Sequence, residues 1–125
     1  MGSSPLKVHR PTFSASTTTI GSQMRLKLEG SADIEVVAEL SSYLRGVHTA
    51  ALMMSVKEVV VDLRGLFFMT SSCFKCFLTW VSSIQDLEEA KRYTVHLEAN
   101  ANLHWQRRSL DALRNFATNV VTLSV

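Results

Sequence analysis

Little in this chain breaks a fold or staples one. Its 125 residues include only two prolines, Pro5 and Pro11, both ahead of the first firm strand pattern. No cis-proline can therefore stand beside a cysteine pair further along, as thioredoxin-like folds require. The two cysteines, Cys73 and Cys76, lie three apart on one expected helix and cannot close a loop. That usage fits a reducing, cytoplasmic compartment. No apolar run approaches the ~18 residues that span a bilayer, so no membrane insertion is expected. The first twenty residues lack the apolar core of a signal peptide. Met1-Gly2 invites a myristoylation reading, but Leu6 stands where that motif wants Ser or Thr. The formal charge of +2 is too small to argue for a nucleic-acid partner. The basic pairs Lys91-Arg92 and Arg107-Arg108 read as solvated helix faces. There is no Gly-rich phosphate loop. The four histidines, His9, His48, His96 and His104, show no metal-ligand spacing and read as surface residues. No metal or cofactor is expected.

What is present is one domain's worth of alternating strand and helix patterns. Residues 1–11 read as a flexible N-terminal segment, and residues 12–125 as the domain. Residues 12–22, rich in Ser and Thr, read as an edge strand running into a turn at Gly21-Ser22. Residues 23–29 set Met24, Leu26 and Leu28 against Arg25, Lys27 and Glu29, a period-2 strand with one wet face. Asp33 is placed to cap a helix carrying Val37, Leu40, Leu44, Val47 and Ala51 on one stripe. Residues 56–63, built on the apolar run Val59-Val60-Val61, read as a central strand. Phe74, Phe77, Leu78, Val81, Ile84 and Leu87 then follow helical spacing. Tyr93, Val95 and Leu97 alternate again. Leu103, Leu110, Leu113 and Ala117, flanked by Trp105 and Phe116, mark a third helix, and residues 120–125 a last strand. Trp80 and Trp105 read as core or core-edge residues. The order β-β-α-β-α-β-α-β predicts an α/β fold. Its sheet is expected to be mainly parallel, with four or five strands and the helices packed chiefly on one face.

Residues 59–80 carry the most information. Val59, Val60 and Val61 form a buried strand, Asp62 to Gly65 break the run, and Phe67-Phe68 are expected to re-enter the core. Asp62 beside Arg64 reads as a loop hydrogen bond or ion pair. Thr70, Ser71 and Ser72 then stand immediately before the helix. Hydroxyls there sit beside free backbone N–H groups and the positive end of the helix dipole. That suits a plain N-cap and equally a phosphorylation site, and the two coexist because capping needs one hydroxyl.

Cys73-Phe74-Lys75-Cys76 is a competing motif. A helix terminus and a nearby Lys75 would lower the first thiol's pKa in a thiol-disulfide oxidoreductase. The alternative is a pair of small buried side chains.

The stretch Phe68-Met69-Thr70-Ser71-Ser72-Cys73-Phe74-Lys75 resembles the Phe-Met-Asp-Ser-Ser-Gly-Leu-Gly pattern of the STAS family, the fold of bacterial anti-anti-sigma factors. The element order matches over roughly residues 12–125, and residues 59–63 look like that family's central strand before its switch loop. Thr70 stands where the family has Asp, and Cys73 and Lys75 where it has Gly. The resemblance implies phosphorylation of Ser71 by a partner serine kinase of the anti-sigma type, with Thr70 as an alternative acceptor. It implies a partner surface of Thr70, Ser71, Ser72, Phe74 and Lys75.

Nothing in the sequence assembles nucleophile, base and oxyanion hole. The reading is a non-enzymatic protein-interaction domain, with a second copy of the chain as a further partner left open. A scaffold or transporter-associated STAS subunit without phosphorylation is second. The Cys-x-x-Cys oxidoreductase is third.

Overall fold

The computed structural model describes residues 6–125. Six strands and three α-helices follow in chain order: β1 (Lys7–Arg10), β2 (Phe13–Ile20), β3 (Gln23–Ala32), α1 (Val37–Met53), β4 (Glu58–Met69), α2 (Ser71–Gln85), β5 (Thr94–Glu98), α3 (His104–Phe116) and β6 (Val121–Ser124). They build one sheet in the order β1-β2-β3-β4-β5-β6. β1, β2 and β3 pair antiparallel, and β3 through β6 pair parallel. The sheet is therefore mixed and six-stranded, where a mainly parallel sheet of four or five strands was expected.

The additional strand lies in the segment expected to be flexible. Residues 7–10 pair with β2 through Lys7↔Ser16 and Val8↔Ala15, and Val8 is buried. Residues 12–22 consequently do not form an edge. Of the segment 1–11, residues 1–5 lie outside the described residues.

Helix placement follows from the strand order. The parallel strands succeed one another in a single direction across the sheet. Right-handed crossovers then put α1, α2 and α3 on the same face. The burial pattern agrees. Met24, Leu26, Leu28, Val59, Val61, Val95 and Leu97 are buried on the helical face. The opposite face carries Arg25, Lys27, His96, Glu98 and Thr122, exposed or half-buried. There Arg25 pairs with Glu98 and reaches Asp62 at 3.7 Å, and Arg64 pairs with Asp62 at 3.0 Å. His96 lies on this wet face, its two nitrogens bonded to Thr122 and Ser124 at 2.7 and 2.9 Å.

The helices take the expected phases. Leu40, Leu44, Val47 and Ala51 are buried on α1, with Tyr43 added to the stripe. Tyr43 donates to the Ser16 carbonyl at 3.1 Å and meets the Thr17 hydroxyl at 2.7 Å, which ties α1 to β2. Burial pushes the Tyr43 phenol up to about 12. Asp33 caps the 3₁₀ turn Ile34–Val36 ahead of α1, accepting from the Glu35 N–H at 3.0 Å. Cys73, Phe77, Trp80, Val81 and Ile84 are buried on α2, while Phe74 and Leu78 are half-buried at its flanks.

Two glycines have backbone angles that favour glycine. Gly21, at φ +60°, opens the two-residue hairpin between β2 and β3, a turn that wants a positive φ at its first central position. Gly30, at φ +94°, lies against β2: an added Cβ would stand 2.2 Å from the Thr12 carbonyl oxygen.

Candidate functional site

The site is built by irregularities in β4. Between Lys27 and Glu29 of β3, β4 advances three residues, from Asp62 to Gly65. Between Gly30 and Ser31 it again advances one more than its partner, from Leu66 to Phe68. Each is a β-bulge, and each reverses which residues face inward. Val59, Val61 and Leu63 join the core beneath the helices in strict alternation, with Val60 and Asp62 buried on the other face, and the first bulge makes Leu66 the next core residue. After the second, neither aromatic is returned inside. Phe67 is 61% exposed and Phe68 48%. The expectation that this pair re-enters the core is thus corrected: a regular alternation would have buried one of them.

A polar side chain secures the first bulge. Gln106, fully buried on α3, donates from Nε2 to the carbonyls of Leu63 at 2.6 Å and Leu66 at 3.0 Å. Its Oε1 accepts from the Asn100 N–H at 2.8 Å. Sequence reasoning missed this residue. The signal was its place on the stripe Gln106, Leu110, Leu113, Ala117, whose spacings of four, three and four mark an inward face.

The bulged strand ends at Met69, and the N–H of Thr70 after it donates to the Ala32 carbonyl at 2.9 Å. Thr70 is extended, and its Oγ1 accepts from the Cys73 N–H at 3.2 Å. It is the N-cap of α2, which leaves the neighbouring hydroxyls unused by the cap. Ser71, the first helical residue, is exposed. Ser72 is half-buried on the side facing α1, where Lys75 and Cys76 line the same groove. Lys75 is exposed one turn beyond Ser71. Phe74 packs half-buried against the core and presents only part of its ring. The five residues expected to form the partner surface therefore share the N-cap and first turn of α2. Exposed Phe67, Phe68 and Ile34, the last 66% exposed, lie at the same end of the sheet and were not in that expectation.

The cysteine pair has the opposite of the environment a redox nucleophile needs. Cys73 is fully buried, with Sγ donating to the Asp33 carbonyl at 3.4 Å. Cys76 Sγ faces the Val37 carbonyl at 3.8 Å and its own helix at the Ser72 carbonyl, 3.6 Å. Burial pushes both thiols up, outweighing the Thr70 hydrogen bond at Cys73 and the Arg45 charge at Cys76. Cys73 is thus a small buried side chain, while Cys76 is half-buried and lines the groove between α1 and α2.

Two further clusters are held by side-chain bonds. Asp62, 6% exposed, accepts from the Arg64 backbone N–H at 3.1 Å and from its guanidinium at 3.0 Å. The Arg64 hydrogen bond outweighs burial and holds this carboxyl below the usual range. The hydrogen bond or ion pair expected of Asp62 is present, but within the bulged β4 rather than in a loop, since residues 62–65 do not end the strand as expected. The second cluster joins α1, α2 and the residue ahead of β5. Trp80 Nε1 donates to the Tyr93 hydroxyl at 2.9 Å, and that hydroxyl lies 2.7 Å from His48 Nδ1. The Trp80 N–H takes one acceptor site of the Tyr93 hydroxyl, and the hydroxyl and His48 Nδ1 share a further hydrogen bond whose direction follows the imidazole tautomer. Burial lowers the His48 pKa. His48 is thus tied to the core, where a plain surface role was expected.

Among the described residues no group of three His, Cys, Asp or Glu side chains converges to hold a metal. No helix of the described residues is long and apolar enough to cross a membrane.

No protein-family model and no curated protein matches the chain. A solved structure does: an anti-sigma factor antagonist from Mycobacterium paratuberculosis superposes with a TM-score of 0.65 at 14% identity, covering 93% of this chain and 89% of that one. The bulged central strand, the capped helix after it and the one-sided helical layer belong to a chain with the fold of an anti-sigma factor antagonist, the STAS fold.

Proposed function

We propose that the chain is a non-enzymatic protein-interaction domain of the anti-sigma-antagonist type. Its partner, an anti-sigma-like serine kinase, seats on the end of β4 and the first turn of α2. Phosphorylation of Ser71 releases it. The observation that carries this reading is the division of labour at Thr70 and Ser71. Thr70 supplies the cap, and Ser71 is left exposed beside it. A phosphate there adds roughly −1.5 to −2 charges and three acceptor oxygens. The domain tolerates it, because negative charge at a helix N-terminus is favourable. A partner packed over Phe67, Phe68 and Ser71 would have to desolvate it. The partner is thereby switched without refolding the domain.

Thr70 is the alternative acceptor. Its oxygen already accepts from the Cys73 N–H, so modification there also alters the cap. The fold likeness supports the class of partner. The solved neighbour is by its description an antagonist of an anti-sigma factor.

The test is affinity capture from the native cytoplasm, followed by intact-mass measurement and phosphosite mapping of the chain. A kinase-type partner and a phosphate on Ser71 are expected. A stable partner with no phosphate on residues 70–72 would favour the unphosphorylated scaffold instead.

A further inference from the structure

The space between α1 and α2 is a groove of about 400 Å³. Clefts of roughly 300–1,000 Å³ hold small ligands. Its floor is apolar, formed by Leu44 and Trp80, both buried. Its walls are cationic and hydroxylic, and no carboxylate of the described residues lines it.

Arg45, Lys75 and His48 line the groove. Arg45 is exposed, and its guanidinium is steadied by the hydroxyls of Ser41 at 2.9 Å and Ser42 at 3.1 Å, with no acid paired to it among the described residues. Two of its five N–H groups are so used, which leaves the others for a ligand. Lys75 enters from α2 and likewise has no acidic partner among the described residues. His48 is held through Nδ1 by Tyr93 on the core side, which leaves Nε2 on the opposite ring edge with no hydrogen-bond partner among the described residues. An arginine held by neutral hydroxyls, a lysine and a held imidazole over an apolar floor form a complement to an anion carried on an apolar body.

We propose that this groove binds a small organic phosphate, with the phosphate between Arg45 and Lys75 and the apolar body over Leu44 and Trp80. Phosphate is the favoured anion because a guanidinium and an ammonium can each take separate oxygens while hydroxyls such as Ser72 meet the third. The groove shares Ser72 and Lys75 with the first turn of α2. The test below needs no partner protein, so ligand binding and partner switching stand or fall separately.

The experiment titrates the full-length, 15N-labelled chain with phenyl phosphate, phenol and inorganic phosphate in parallel, reading backbone amides and the Trp80 indole N–H. Phenyl phosphate is expected to shift the amides of Arg45, His48, Ser72 and Lys75 and the Trp80 indole saturably, with a Kd of about 1 mM or tighter. Phenol and inorganic phosphate are expected to bind at least tenfold more weakly. The double variant Arg45→Met, Lys75→Met alters two exposed side chains and should keep the wild-type melting temperature while weakening phenyl phosphate at least tenfold. Equal affinity in that variant, equal binding of phenol, or shifts scattered away from the groove would each overturn the proposal.

Discussion

Replacing Gln106 should be the most damaging polar substitution in the molecule. The side chain is fully buried and bonds three backbone groups: the carbonyls of Leu63 and Leu66 at the bulge in β4, and the Asn100 N–H beyond the end of β5. Gln106→Leu keeps the volume and removes all three bonds. An orphaned buried polar group costs about 1–3 kcal/mol. Leu63 and Leu66 are themselves buried, whereas Asn100 is half-buried and can be partly served by water. The sum is about 3–5 kcal/mol, a large share of the roughly 5–15 kcal/mol that holds a domain together. For a chain of this length that lowers Tm by roughly 10–20 °C. Gln106→Glu refines the test. A carboxylate can still accept from Asn100, but it faces two carbonyl oxygens, so burial and those acceptors raise its folded pKa above the ~4.3 of an unfolded glutamate. A raised folded pKa means stability that is present below the unfolded value and lost as pH rises through the folded one. The gap between Gln106→Glu and wild type should therefore widen from acid to neutral pH. Urea unfolding across pH reads both effects. A Gln106→Leu variant within about 1 kcal/mol of wild type, or a Gln106→Glu gap flat with pH, would refute this account of the bulge.

Phe77 is 1% exposed and meets Trp80 edge-on at 6.3 Å, so Phe77→Ala should cost about 3–5 kcal/mol in denaturant unfolding; an unchanged Tm would mean the phase of α2 is wrong. The raised thiols of Cys73 and Cys76 should alkylate slowly in the native protein at neutral pH and fast in urea, and the chain should not turn over insulin disulfides; rapid native labelling of Cys73 would contradict its burial. Asp62 has a lowered folded pKa, so its contribution is present above the ordinary value of 3.8 and fades as pH falls through the folded value. Asp62→Asn should accordingly flatten the acid limb of the stability profile, and identical acid limbs would place the loss elsewhere.

The sequence showed most of what periodicity can carry. Met24, Leu26 and Leu28 alternate cleanly because β3 has one wet face, and the stripe of α1 was legible through Leu40, Leu44, Val47 and Ala51. β1 was illegible because four residues with a single apolar member, Val8, make no period. Phe67 and Phe68 were misplaced for a different reason. Hydrophobicity argues for burial, but side-chain direction in a strand is set by register, and two bulges slipped it. Gln106 is a polar residue on an inward position, where a reading by hydrophobicity passes over it; Tyr93 was read as an inward member of its strand, but the bonds of its hydroxyl to Trp80 and His48 left no signal in the sequence. At the site, the run of hydroxyls was visible in sequence, but which of them caps could come only from geometry. Thr70 takes that role, and Ser71 is left outward.

The most direct test of the central claim compares Ser71→Asp, Ser71→Ala and wild type for affinity toward the captured partner, with melting temperatures alongside. Ser71→Asp should weaken binding at least tenfold, about 1.4 kcal/mol or more, while keeping or slightly raising Tm. Ser71→Ala should bind as wild type does and take no phosphate at that position. Equal affinities for all three would contradict the account and remove the end of β4 and the start of α2 as the partner's seat.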